Sequence, residues 1–447
     1  MLGYYAVLAI RSLSRDIALT LLMVLTIAIG IGASMTALTV YHVLARDPYP
    51  GRSGKLFRPQ LDPRQYADRS KTNLHAGAEE PYIQLSWIDA MNLLHAHRAD
   101  RQAVMSTGSF RVELPDGKVR PSHSFGLYTT TDFFPMFGAP FRYGAAWSEA
   151  DDERGTRVVV ITDTLNDMLF GGANSVGHIV VLRGVPFRVV GVLDHWQILP
   201  RIYGSYQAIE LSDVYEAYIP LTSAIDADLH PAGSRRCWDE KVPFPPDNRQ
   251  KKTAPCAWLQ MWVQLDSAAK VAAYRDFLIH YSEDQKAIGR FQRPPNVRLR
   301  SVTQWLEAFH AVPDDARVQV WLAFGFLLVC LINATGLMLA KFMRGIGNVG
   351  VRRAMGASRR AVFAQLLVEA GMIGVAGGLI GLVLAYGGLW LLRQQQDGDI
   401  DYATLVHMDV GMLIISIVIA LASSLLVGLL PAWRACQVSP ALQLKTQ

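Results

Sequence analysis

Four stretches of this chain are apolar on every side, with no polar stripe to mark a solvent face. Ile17–Ala45 runs 29 residues, 318–340 runs 23 and 410–430 runs 21 without one Asp, Glu, Lys or Arg. The stretch 361–392 admits a single charge, Glu369, in 32 residues. A helix apolar all round is sunk either in a large core or in a membrane. A bilayer core of about 30 Å is crossed by about 20 helical residues, so all four stretches are expected to span one. Arg11 and Arg15 before the first stretch, with Ala33, Ser34 and Ala37 inside it, also suit a signal peptide. The apolar core of such a leader is only about 7–15 residues, so a retained anchor is expected instead. Residues 3–14 are amphipathic and are expected to lie along the inner membrane interface. Trp321, Trp390 and Trp433 stand near span ends, as an aromatic belt does.

Between the first and second spans the period changes. Residues 46–80 are rich in Pro, Gly and charge and read as an extended arm. Ser86-Trp-Ile-Asp89 has capping-box spacing and predicts a helix over 86–98; a second helix is expected at 268–289. From 100 to 196 the β-branched runs 157–162 and 177–193 predict mostly strand, with a hairpin turn at Arg183-Gly184. Residues 195–260, aromatic and Pro-rich, yield no assignment. The expected fold class is a membrane α-helical protein of four transmembrane helices, with a large α+β extracytoplasmic domain inserted between helices 1 and 2. The expected divisions are 1–45 (interfacial helix and first span), 46–317 (extracytoplasmic domain) and 318–447 (three spans).

Composition agrees with such a hybrid. Of 447 residues 51% are apolar and 18% charged, against about 25% charged in soluble domains. That balance excludes a disordered or fibrous chain, and also one made mainly of membrane helices. The net charge of +5 is unevenly placed. Residues 341–360 hold Lys341, Arg344, Arg352, Arg353, Arg359 and Arg360 with no acid. Residues 393–409 set Arg393 against Asp397, Asp399, Asp401 and Asp409. Basic loops stay in the cytoplasm, so both termini and 341–360 are expected inside and 46–317 outside. The segment 46–317 is then electrically neutral, which argues against a nucleic-acid partner. Membrane lipid is the expected surroundings of the rest.

Candidate chemistry is sparse. The segment 46–317 contains no Gly-x-Ser-x-Gly, no His-Glu-x-x-His and no cysteine–histidine nucleophile pair, so no catalytic residue is assigned. His95 and His97, two apart, point away from each other on a helix and cannot share a metal. Asp151-Asp152-Glu153 reads as a solvated turn, and no metal site is expected. Cys237 and Cys256 both lie in the exported segment and are expected to oxidise to a disulfide, the alternative being two free thiols. Cys330 falls inside the second span and Cys436 after the fourth. No Walker-A sequence occurs, since Gly51-Arg-Ser-Gly-Lys55 has the wrong spacing. Gly374, Gly377, Gly378 and Gly381 supply small-xxx-small spacings for close helix packing in the third span.

Two longer stretches carry more. One is Phe133-FPMFGAPFRYGAAWSEADDERGTRVVVITDTLNDMLFGGANSVGHIVVLRGVPFRVVGVL, ending at Leu193; the other is Asn348-VGVRRAMGASRRAVFAQLLVEA. With the closing Pro431-AWRACQVSPALQLK and the order of one span, exported domain and three spans, they resemble the MacB/FtsX family of ABC-transporter permeases. The resemblance covers the first 45 residues, about 125–195, and 318 to the end. It implies a permease pair working with two cytoplasmic ABC ATPase subunits, which bind ATP-Mg, while this chain binds no cofactor. It implies a coupling helix in the loop 341–360, with Arg344, Asn348, Gly350, Arg352, Arg353 and Gly356 as the ATPase-coupling residues. It also implies mechanotransmission, in which ATP hydrolysis moves the exported domains.

Members differ in use. Some export drugs, peptides or toxins with a periplasmic adaptor and an outer-membrane duct. Others extract lipoproteins or regulate cell-wall hydrolases. A membrane-anchored sensor or scaffold without an ATPase is the reading from another class. One departure from the pattern is Gly347-Asn348, where the family commonly has a basic–acidic pair. It raises the expectation of a heterodimer with a paralogous permease that keeps the acid, set against a pair of identical chains.

Overall fold

The computed structural model describes residues 2–64, 80–117, 119–196, 198, 201–204, 215–232, 235–238, 244–309, 314–344, 355–394 and 410–437. The chain forms two compact units, one of residues 1–46 and 312–447, the other of residues 47–311.

The first unit is helical. A short amphipathic helix α1 (Leu2–Arg15) is followed, after a break at Asp16, by the long apolar α2 (Ile17–Ala45). The segments Ile17–Val43, Asp315–Arg344, Arg359–Leu392 and Ile417–Arg434 are each long and apolar enough to cross a membrane. Many of their large apolar side chains face outward, Trp321, Val383 and Leu426 among them. Such exposure is costly in water and costs nothing in lipid.

The second unit is α+β. Its helices are α3 (Trp87–His95), α4 (Phe133–Phe137), α5 (Glu149–Arg154), α6 (Asp163–Phe170), α7 (Leu221–Asp226), α8 (Asn248–Lys251), α9 (Ala268–Ala287) and α10 (Val302–Ala308). Its strands, among the described residues, begin with β1 (Leu56–Gln60), β2 (Leu85–Ser86), β3 (Arg101–Glu113) and β4 (Ser122–Thr129). They continue with β5 (Phe141–Gly144), β6 (Val158–Ile161), β7 (Ile179–Leu182), β8 (Val185–Leu193) and β9 (Ala217–Pro220). Last come β10 (Pro231–Ala232), β11 (Arg236–Cys237), β12 (Cys256–Gln264) and β13 (Arg298–Ser301).

The main sheet runs β13-β1-β12-β3-β4-β9-β6-β8-β5. Both faces are covered, which explains strands buried at every position. Val158 and Val160 pack into one core, Val159 and Ile161 into the other, as the period of two requires.

Local chemistry sets several of these elements. Ser86 caps α3 by accepting the Asp89 N–H at 3.1 Å, and His97, at φ +47°, ends the helix short of residue 98. Arg183 and Gly184 both take positive φ between β7 and β8, the backbone of a two-residue I′ hairpin. α9 matches the helix expected at 268–289 to within two residues.

Two expectations are corrected. Leu56–Arg64 is not an extended arm: every residue in it is buried, and β1 lies between β13 and β12. Its polar residues read as solvent-facing although each finds partners inside the fold. Arg58, for example, donates to the Ile83 carbonyl at 2.8 Å and stacks on the Trp305 ring. Asp151-Asp152-Glu153 is not a solvated turn but the body of α5, started by a capping box between Ser148 and Asp151.

Cys237 and Cys256 face each other across the β11–β12 ladder and are joined in a disulfide. A bridge of this loop length stabilises by about 3 kcal/mol. Replacing both cysteines by Ser is expected to cost about 2–4 kcal/mol, read as a lower denaturant midpoint for the tryptophan emission of the purified chain. An unchanged midpoint would contradict the assignment.

Candidate coupling site

Helices α11 (Asp314–Arg344) and α12 (Arg359–Gln394) are the two that the basic segment connects, and α13 (Val410–Gln437) closes the bundle. α2 packs against α11 and α12, α12 against α13, and α1 lies along α12. Of the six residues expected to engage an ATPase, Asn348, Gly350, Arg352 and Arg353 lie outside the described residues. Arg344 ends α11 with its side chain exposed. Gly356, at φ +99°, makes a turn that any side chain would strain. Ser358 then caps α12 by accepting the Ala361 N–H at 3.2 Å.

Beside this connection sits a charge cluster that the sequence reading missed. Lys341, in the last turn of α11, is buried and paired with Glu369 of α12, also buried. The Ser12 hydroxyl of α1 donates to the same Glu369 oxygen at 2.9 Å. One carboxylate thus ties three helices. Lys341, counted above with the basic loop, belongs to the bundle and is spent on Glu369. The signal was present: a lone carboxylate in an apolar run needs a partner, and Lys341 is the first charge after the neighbouring run.

The glycines of the third span sit at helix contacts. A Cβ on Gly377 would meet Ile27 at 2.9 Å and one on Gly381 would meet the Ala28 carbonyl at 3.0 Å, both on α2. One on Gly378 would meet Ala420 of α13 at 2.6 Å. Gly374 is buried on the same helix.

In the α+β unit the two ends of the domain meet. β1, the first strand after α2, pairs antiparallel with β13, the last before α11, from Phe57↔Ser301 to Gln60↔Arg298. The Val302 N–H donates to the Ser53 carbonyl at 3.3 Å, extending the ladder towards both chain connections. An aromatic cluster backs this ladder. Tyr49 packs edge-on to Phe137, Phe137 reaches Trp262, and Trp262 reaches Trp305, which stacks on Phe309. The Arg58 guanidinium lies 4.1 Å from the Trp305 centroid and 5.8 Å from that of Trp262. Burial disfavours its charge and lowers its pKa; the ring faces and two carbonyls offset that cost. Tyrosines of the same cluster, Tyr49, Tyr203 and Tyr218, have their pKa values raised by burial and stay neutral. Nothing in this cluster is arranged for bond chemistry.

Two family models match the chain, one after the other. Residues 20–279 match the family model of the MacB-like periplasmic core domain, and residues 320–440 that of the FtsX-like permease C-terminal region. Pyoverdine export ATP-binding/permease protein PvdT of Pseudomonas aeruginosa is 26% identical over 73% of this chain and 42% of its own length. Macrolide export ATP-binding/permease protein MacB of Wolinella succinogenes is 21% identical over 98% of this chain and 60% of its own. The chain thus spans about half the length of these curated relatives. The periplasmic region of MacB from Actinobacillus actinomycetemcomitans is a solved structure with 12% identity and a TM-score of 0.37, covering 60% of this chain and 97% of that one.

Lys341→Met leaves Glu369 buried without its cation, which is expected to destabilise the bundle by about 3–5 kcal/mol. The exchanged pair, Lys341→Glu with Glu369→Lys, is expected to recover at least half of that loss in thermal unfolding of the nanodisc-embedded chain. An exchanged pair no better than Lys341→Met would contradict the contact.

Proposed function

This chain belongs to the family of MacB-like, FtsX-like ABC-transporter permeases, and on that premise we propose that it couples ATP hydrolysis on a separate ATPase to movement of its α+β unit. The observation that carries the reading is the pairing of β1 with β13. The first and last described strands of the α+β unit lie side by side in one ladder, which supports the reading that movement passed along the chain from α2 or α11 reaches the sheet there. The ATPase docks at the segment 341–360 through Arg344, Arg352 and Arg353, with the glycines Gly350 and Gly356 allowing close backbone approach. It supplies the ATP-Mg site.

By the charge of that segment, both termini and the docking face lie in the cytoplasm and the α+β unit lies in the periplasm, with the helices in the inner membrane. The names of the relatives, export proteins for pyoverdine and for macrolides, favour efflux; an adaptor and an outer-membrane duct are the partners proposed with it. The Gly347-Asn348 departure favours a heterodimer whose second permease retains the acidic residue.

The test is co-purification of the tagged chain with its ATPase. Gly350→Ala with Arg352→Glu is expected to lower ATPase recovery at least tenfold while the chain still inserts in the membrane. Normal recovery would contradict the docking assignment. Two copies of this chain with no second permease would contradict the heterodimer.

A further inference from the structure

The outward side of α1 carries two cations to which the bundle gives no partner. At about 100° per residue, Ala9, Ser12 and Leu13 fall on one arc of this helix and Ile10, Arg11, Ser14 and Arg15 on the other. The first arc is fixed to the bundle. Ala9 is buried, Leu13 packs against the bundle core, and the Ser12 hydroxyl donates to Glu369 at 2.9 Å. All four residues of the second arc are exposed. Arg11 and Arg15 stand one turn apart, which sets their Cβ atoms about 5–6 Å from each other. Neither guanidinium makes an ion pair or a hydrogen bond among the described residues. The neighbouring acid, Asp16, pairs with neither and stands at the N-terminus of α2, where the partial positive charge of that helix favours a carboxylate. The two arginines are therefore held in place on a packed helix, with their charge unanswered by the protein.

The surroundings point to the occupant. The span α2 begins two residues after Arg15, and Ile17, Leu21 and Leu22 in its first turns are exposed. These side chains face hydrocarbon once the chain is in a bilayer, which puts the arginines at the level of the lipid headgroups. Ile10, 55% exposed on the same arc, gives α1 an apolar flank for the acyl boundary. A guanidinium fork matches phosphate oxygens in pairs, so two forks one turn apart can bracket a single phosphodiester. A choline headgroup brings its own cation against the second guanidinium, whereas a glycerol headgroup brings only hydroxyls. Charge complementarity thus favours a net-negative lipid over a zwitterionic one.

We infer that Arg11 and Arg15 bind the phosphodiester of an anionic phospholipid, with Ile10 against the base of its acyl chains. The lipid holds α1 to the membrane surface while Ser12 holds it to the bundle. The inference is independent of the coupling function proposed above and uses no residue of the segment 341–360.

The test is native mass spectrometry of the full chain in detergent micelles, titrated with dioctanoyl-phosphatidylglycerol, dioctanoyl-phosphatidylcholine or glycerol 3-phosphate. The first phosphatidylglycerol is expected to bind at least fivefold more tightly than the first phosphatidylcholine. Arg11→Gln with Arg15→Gln is expected to lower that ratio at least threefold. Arg434→Gln, which removes an exposed arginine of α13 outside the site, is expected to leave the ratio at fivefold or above. A wild-type ratio below fivefold, a smaller drop in the double variant, or an equal drop in Arg434→Gln would overturn the site. Glycerol 3-phosphate binding as tightly as phosphatidylglycerol would overturn the lipid as its occupant.

Discussion

The structure depends on the fact that the domain's first and last strands are neighbours. A domain inserted between two membrane helices could in principle receive its two connections at opposite ends, and then each helix would pull on a different part. Here the β1–β13 ladder and the Ser53–Val302 hydrogen bond bring both connections to one place. Interstrand hydrogen bonds resist shear along the whole ladder, and the aromatic cluster behind it is close-packed and so barely compressible. Tyr49 on the incoming side and Trp305 and Phe309 on the outgoing side share that cluster.

The membrane unit solves a related problem with charge. Its helix contacts are made by glycines, which bring backbones close but leave little side-chain material to fix rotation. Glu369 adds a directional contact, joining α12 to Lys341 of α11 and Ser12 of α1. A buried ion pair is weak evidence for stability but fixes register well, because the alternatives strand a charge in apolar surroundings. Lys341 stands in the last turn of α11 and Glu369 ten residues into α12, so the contact fixes the end of one helix against the body of the other.

Much of this was legible in the chain. The apolar runs marked the membrane helices because nothing else in a sequence has that length and uniformity. The hairpin at Arg183-Gly184 and the Ser86 cap were readable because their chemistry is local. What escaped was non-local. β1 contains Arg58, Pro59 and Gln60, and it reads as a loop until Ile83, Trp262 and Trp305 are placed around it. Asp152 looks solvated in a run of three acids, yet the Trp147 indole and the Thr131 amide sequester it. Lys341 looked like part of a docking patch until its partner on α12 was known. In each case a polar residue was assigned to solvent although a partner far along the chain had satisfied it.

The central claim is that nucleotide on a docked ATPase moves the α+β unit as a rigid body. Spin labels on exposed residues test it within one chain, whatever the second permease is. One pair, Gly54 and Thr303, spans the paired strands' ends, and another, Ile288 and Arg317, has one label in the α+β unit and one on α11 of the bundle. Electron–electron distance measurements on the ATPase-bound complex are predicted to show the second distance shifting between the nucleotide-free and ATP-locked states while the first stays fixed. A first distance that changes with nucleotide, or a second that does not, would contradict the account.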